Sequence, residues 1–215
     1  MINLCFHGIG APERELEPDE EQYWLDQGLF GELLDAALGL PEVRLTFDDG
    51  NASDRAVALP MLVERGLTAA FFVIAGRLGQ PGSLAADDVL ALAEAGMTIG
   101  THGMRHRPWR SLDEEGYREE LDEARELLAV AARAPIDEAA CPYGAYDRRT
   151  LRALKQRDFR RVYSVDPRPA RAEAWFQPRY AVRRGDTAGT IRGLGGDSFP
   201  RRVVLAGKSA AKRWR

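Results

Sequence analysis

Apolar residues along this chain fall into short runs separated by amphipathic stretches, and the two alternate regularly. The runs Ile2–Phe6, Val43–Phe47, Thr68–Ile74, Met97–Thr101, Ala139–Cys141, Val162–Val165 and Tyr180–Val182 predict seven strands. Helical patterns lie between them. Leu29–Leu38 sets Phe30, Leu33, Leu34 and Ala37 on one face, and Ala85–Ala95 repeats the pattern with Val89, Leu90 and Leu92. Ser53–Arg65 opens on a Ser53 cap and carries Pro60, which predicts a kink. Ser111-Leu-Asp-Glu114 has the form of a capping box opening a long charged helix to about Ala132, and helices over Asp147–Gln156 and Thr187–Leu194 follow. Strands alternating with helices predict parallel β-structure with helices packed outside, as a doubly wound sheet or a barrel. In both folds function gathers at the carboxyl ends of the strands.

Those ends carry the polar chemistry. The first strand delivers His7, the second Asp48 and Asp49, and the fourth His102, with His106 four residues on; the fifth leads into Cys141-Pro-Tyr-Gly144. All three histidines of the chain belong to this set. Successive residues leaving a strand point in different directions, so one carboxylate of the Asp48–Asp49 pair can hold a metal while the other stays free as a base. Asp-Asp-Gly also fits a turn with a capping carboxylate. The His102-x-x-x-His106 spacing suits two imidazoles on one ion, or a pair of surface histidines between Arg105 and Arg107. With a strand-end Asp, the two nitrogens and one oxygen leave a coordination position for water. That is the donor set of a catalytic rather than a structural zinc site.

Composition narrows the picture. The 215 residues are 45% apolar and 29% charged, which excludes collagen-like and disordered chains and suits one globular domain. Cys5 and Cys141 make no disulfide framework, and Cys141 is read as packing. No run approaches the ~18 apolar residues of a membrane span, and the first residues lack the basic start of a secretion signal, so the expected location is cytoplasmic. The net charge of −3 hides an asymmetry: residues 1–147 hold 28 acids and 11 bases, residues 148–215 hold 5 acids and 19 bases. Residues 1–200 are expected to form the domain, and Arg201–Arg215, with six bases and no acids, a flexible tail able to touch anionic lipid headgroups. No nucleic-acid-binding motif accompanies it.

Thr46-Phe-Asp-Asp-Gly50, followed by Ala58-Leu-Pro-Met-Leu62 and Gly66-Leu-Thr-Ala-Ala-Phe-Phe-Val73, resembles the polysaccharide deacetylases, the NodB homology domain of carbohydrate esterase family 4. Gly100-Thr-His-Gly-Met-Arg-His106 looks like the second motif of that family, and Cys141-Pro-Tyr-Gly-Ala-Tyr146 like a reduced third. The resemblance runs from about Ile2 to about Asp166. It implies a distorted seven-stranded (β/α) barrel and metal-dependent removal of N-acetyl groups from amino sugars of a polysaccharide or lipid-linked glycan. It also implies Asp48 as general base, Asp49, His102 and His106 as metal ligands, and a backbone N–H at Tyr143 that helps hold the oxyanion. The metal expected is Zn²⁺, with Co²⁺ or Ni²⁺ as alternatives. Three departures stand out. Ala140 occupies the place of the third-motif arginine that orients the base, no histidine follows His106 to act as acid, and Gly103 replaces a Ser or Thr.

Other residues have to supply what is missing. His7 is the remaining histidine, and imidazole is the side chain that titrates nearest neutrality; it is a candidate general acid, or a strand-end histidine bonding a carboxylate. Asp48, once protonated, is the alternative proton source. Arg179 and Arg183 are candidates to orient Asp48, with Arg179 preferred. The stretch Arg179–Arg184 also predicts a positive site mouth that would favour phosphate-bearing or acidic glycans. Trp24, Trp109 and Trp175 are expected in loops, as sugar-stacking rings or as packing. Two rival readings share the fold: hydrolysis of a small cyclic amide, and an inactive glycan-binding module.

Overall fold

A computed structural model describes residues 1–40 and 42–195. Its strands are β1 (Ile2–Phe6), β2 (Val43–Asp49), β3 (Ala69–Val73), β4 (Thr98–Thr101), β5 (Glu138–Ala140), β6 (Arg161–Ser164), β7 (Phe176–Pro178) and β8 (Tyr180–Ala181). They form one parallel sheet in the order β7-β6-β5-β4-β3-β2-β1-β8. Only Arg179 separates β7 from β8, so one segment pairs with β6 through its first half and with β1 through its second. That segment closes the barrel. The seven expected strands are therefore present, and the last begins earlier than the apolar run Tyr180–Val182 indicates. The Asn3 amide secures the seam by donating to the carbonyl of Pro178 and to Gln177 Oε1, both at 2.9 Å.

Strand alternation sorts the side chains. Leu4, Phe6, Leu45, Phe47 and Phe71 face outward into the main core, where Phe47 and Phe71 stack at 4.6 Å and Phe30 packs edge-on against Phe6. The opposite face, the lumen, holds a small cluster of Ala70, Phe72, Ala140 and Tyr163. The same parity sends Thr46 and Asp48 inward.

Helices α1 (Gln27–Leu38), α2 (Leu59–Glu64), α3 (Ala86–Glu94), α4 (Glu114–Tyr117), α5 (Ala124–Ala132), α6 (Arg148–Gln156) and α7 (Ala188–Leu194) lie outside. Two of them depart from the expected caps and continuity. Ser53 already has helical dihedrals, and its hydroxyl accepts from the Ile9 amide instead of capping. A π-turn over Asp54–Ala58 precedes Pro60, which cannot donate a helical hydrogen bond. Ser111 lies in the left-handed region (φ 65°), and Asp113 is the cap, accepting from the Gly116 amide at 2.9 Å. The long helix beyond it is interrupted by a second π-turn, Arg118–Glu123.

Trp24 and Trp109 are buried, so of the two readings offered for them packing holds and sugar stacking does not. Trp175 packs on the cluster around α6 and donates its indole N–H to the Phe159 carbonyl. Among the described residues no helix is long and apolar enough to cross a membrane. The basic stretch Arg201–Arg215 lies outside the described residues.

The tight lumen gives a first test. A Cβ at Gly100 would lie 2.4 Å from the Phe72 ring and 2.9 Å from the Glu138 carbonyl, whereas one at Gly193 in α7 meets open space. Gly100→Ala is expected to lower unfolding free energy by about 1–3 kcal/mol in urea titrations. Gly193→Ala should raise it by about 0.5–1 kcal/mol.

Candidate active site

The lumen-facing Asp48 is 2% exposed, and a charged partner reaches it from 131 residues along the chain. Arg179 Nη1 and Nη2 donate to Asp48 Oδ1 and Oδ2 at 2.6 and 2.7 Å, a bidentate pair. The guanidinium is wholly buried and also donates to Thr46 Oγ1 (3.1 Å) and the Ser164 carbonyl (3.2 Å). It lies 5.4 and 5.6 Å from the centres of the Phe72 and Tyr163 rings. Those rings cluster with Ala140, so the small residue that replaces the family's third-motif arginine borders the space filled by Arg179. Burial alone would push the Asp48 carboxyl up, but Arg179 more than offsets it and holds the group well below the usual carboxylate range. Arg183 does not reach this site; it lies over the Tyr23 ring at 5.6 Å.

Asp49 breaks the strand parity. Its backbone is left-handed (φ 80°), as is that of Gly50, and the turn carries the carboxylate toward the histidines. Asp49 Oδ1 lies 3.7 Å from His102 Nε2 and 3.5 Å from His106 Nε2. His102 Nδ1 bonds the Ala140 carbonyl at 2.8 Å, which fixes its proton on that nitrogen and turns the Nε2 lone pair inward. Burial lowers the pKa of His102 to about 4, so the ring is neutral near pH 7, the form that ligates metals. His106 Nδ1 is held by Glu17, 3.0 Å from both carboxylate oxygens.

The loop carrying the two histidines is nailed down from the π-turn Arg118–Glu123. Buried Glu120 accepts from the amides of Met104 and Arg105 and from Arg107 Nε. Gly103 follows from this. It has φ 86°, and a Cβ there would lie 2.3 Å from Glu120 Oε2, so the Ser or Thr of the family motif has no room.

The donor set fits a divalent metal. Asp49 Oδ1 is buried without a hydrogen-bond partner among the described residues, and it converges with one nitrogen from each histidine within 4.8 Å. Two nitrogens and an oxygen suit zinc or a similar ion.

His7 lies one position past the registered pair Phe6–Phe47, alongside Asp48. A ring nitrogen of His7, the Cys5 sulfur and an Asp48 oxygen lie within 4.8 Å of one another. His7 stacks on Tyr23 at 4.8 Å, and its Nδ1 has no hydrogen-bond partner among the described residues. Tyr143, left-handed at φ 54°, faces the His106 ring at 4.3 Å. His7, Asp48, Asp49, His102, His106 and Tyr143 line a cavity of about 390 Å³. Its remaining wall, from the β1–α1 loop, includes Glu17, Asp19 and Glu20, and no Lys or Arg of the described residues lines it. The positive mouth expected from Arg179–Arg184 is therefore absent there: Arg179 is buried against Asp48, Arg183 covers Tyr23, and Arg184 pairs with Glu21.

Sequence reasoning did not single out Glu17 or Glu120. Glu17 sits in an acid-rich loop and Glu120 in a charged helix, where single carboxylates look solvated.

Comparison with known proteins agrees with this architecture. Residues 37–162 match the family model described as polysaccharide deacetylase. YxkH of Bacillus subtilis (strain 168), a polysaccharide deacetylase homologue, is 24% identical over 197 residues, covering 84% of this chain and 69% of its own. BA0330 from Bacillus anthracis superimposes with a TM-score of 0.78 at 16% identity, over 91% of this chain and 68% of its own. The deacetylase PplD of Streptococcus pyogenes, solved with acetate, gives 0.76 at 18% identity, over 91% and 98%.

Removing Arg179 would strand a buried carboxylate. Arg179→Met should cost about 3–5 kcal/mol of unfolding free energy at pH 7. The native pair holds the Asp48 pKa down, so its stabilisation is present above the unfolded carboxyl value of about 4 and lost on acidification below it. Without the arginine, burial raises that pKa and the variant accepts a proton at milder acidity. The deficit measured in urea should therefore shrink between pH 7 and pH 5; a constant deficit would contradict the assignment.

Proposed function

This chain belongs to the polysaccharide deacetylase family, hydrolases of carbon–nitrogen bonds other than peptide bonds, and from that premise we propose that it removes N-acetyl groups from amino sugars of a glycan with the help of a divalent metal, most simply Zn²⁺. The observation that carries the reading is the convergence of Asp49 Oδ1 with one nitrogen each of His102 and His106, beside an Asp48 held ionised by Arg179. A metal held by those three side chains would polarise the acetamido carbonyl and acidify water, from a pKa of ~15.7 toward ~7.

The chain's own residues divide the rest of the work. Asp48 stays ionised and accepts the proton of the attacking water, with Arg179 fixing its orientation in the lumen. The backbone N–H at Tyr143 donates to the oxygen that gains charge in the tetrahedral state. The leaving amine must be protonated before the carbon–nitrogen bond breaks, because otherwise the intermediate expels the oxygen it has just received. His7 supplies that proton. It faces the cavity beside Asp48 and carries an Nδ1 without another partner among the described residues. The absence of Lys or Arg among the described residues that line the cavity favours a neutral acetamido sugar over a phosphate-bearing one.

Acetate release from N-acetylhexosamine glycans, with Zn²⁺, Co²⁺ or Ni²⁺ added, tests the activity. Asp48→Asn should lower kcat by about 10²–10⁴-fold while metal is retained, and undiminished turnover would sink the mechanism. His7→Ala should impair deacetylation of an acetamido sugar far more than hydrolysis of 4-nitrophenyl acetate, whose phenolate leaves without a proton. Equal losses on both substrates would remove His7 from the acid role.

A further inference from the structure

The two ligand histidines are braced by different devices. His102 leans on a main-chain carbonyl, that of Ala140, which no substitution of one side chain removes. His106 leans on a side chain, Glu17, from the β1–α1 loop. We propose that Glu17 is a positioning residue: by fixing the orientation and tautomer of His106 and tying it to Tyr143, it sets how tightly Asp49, His102 and His106 hold a divalent metal. This rests on reading those three residues as a metal site.

The Glu17 carboxylate gathers donors from three separate loops. His106, after β4, approaches both oxygens at 3.0 Å; the Tyr143 hydroxyl, after β5, donates to Oε2 at 2.5 Å; and the Arg77 guanidinium, after β3, pairs with Oε1. An imidazole facing a carboxylate through Nδ1 keeps its proton there, and its Nε2 lone pair then points at Asp49. His106 and Tyr143 both have left-handed backbones, φ 55° and 54°. Side-chain-bearing residues keep that conformation only where their surroundings over-determine it. The shared carboxylate is such a constraint on both.

Glu17 is itself anchored. Its amide donates to Glu20 Oε2 at 2.8 Å, and the Glu20 amide returns a bond to the Glu17 carbonyl at 3.1 Å. Glu20 in turn pairs with Arg14, whose guanidinium reaches Asn51 Oδ1 two residues past Asp49. The brace is thereby tied to the strand end that carries the first ligand.

The test uses the full chain freed of metal, with Zn²⁺ titrated against a chromophoric chelator and Co²⁺ followed by its visible absorption. Glu17→Gln, which keeps the shape of the side chain, should weaken binding of both ions by about 10–100-fold and change the Co²⁺ bands. The melting temperature of its metal-free form should stay near that of the parent. Should Glu17→Gln fold poorly, Glu17→Ala measured at lower temperature reads the same affinity. Parent-like affinity and bands in folded Glu17 variants overturn the proposal alone. A parent chain that takes up neither ion overturns the metal site and the proposal together.

Discussion

The buried pair between Asp48 and Arg179 joins the fold to the site. Neither charge is kept cheaply alone, because both groups are almost wholly removed from solvent; each is held by the other, and Thr46 and the Ser164 carbonyl take further guanidinium N–H groups. Arginine suits the position: its planar fork matches the carboxylate, Thr46 and the Ser164 carbonyl take other N–H groups, and Phe72 and Tyr163 flank its faces. Arg179 is also the single residue between the halves of the closing strand. The contact that orients Asp48 thus sits at the seam that completes the barrel.

Around the mouth, order is imposed on conformations the backbone resists. Asp49, His106 and Tyr143 are left-handed, and each lies where a side chain must leave its element in an unusual direction. The supports are carboxylates from elsewhere: Glu120 under the histidine loop and Glu17 across His106 and Tyr143. The rigid sheet supplies position, and these side chains supply aim.

How much of this is legible in the sequence depends on distance along the chain. The strands show as apolar runs, and Asp48, Asp49, His102 and His106 show as tight motifs at their ends. The closing strand hides in Phe-Gln-Pro, because its middle residue faces the lumen and its proline ends a run too short to stand out. Arg179 meets a partner 131 residues away, so only the absence of an arginine at Ala140 hints at it. Glu17 and Glu120 are obscured by acidic neighbours, since pairing and burial leave no trace in local composition. The same blindness makes Arg179–Arg184 look like a positive rim: linear charge counts ignore Asp48, Tyr23 and Glu21, which occupy those guanidinium groups. Trp24 and Trp109 are loop residues that plug the interior, and local sequence could not choose between that and an exposed ring.

The placement of the seam also gives the molecule an order in time. During synthesis, β1 to β6 and all three deacetylase-like motifs leave the ribosome before residue 179 does. Until it arrives, the partly wound sheet has two open edges and a carboxylate facing its lumen without a counter-charge. A nascent chain of that length cannot bury Asp48 cheaply. Closure of the perimeter and orientation of Asp48 both wait on the same residue, and a chain stopped short of it lacks the two together.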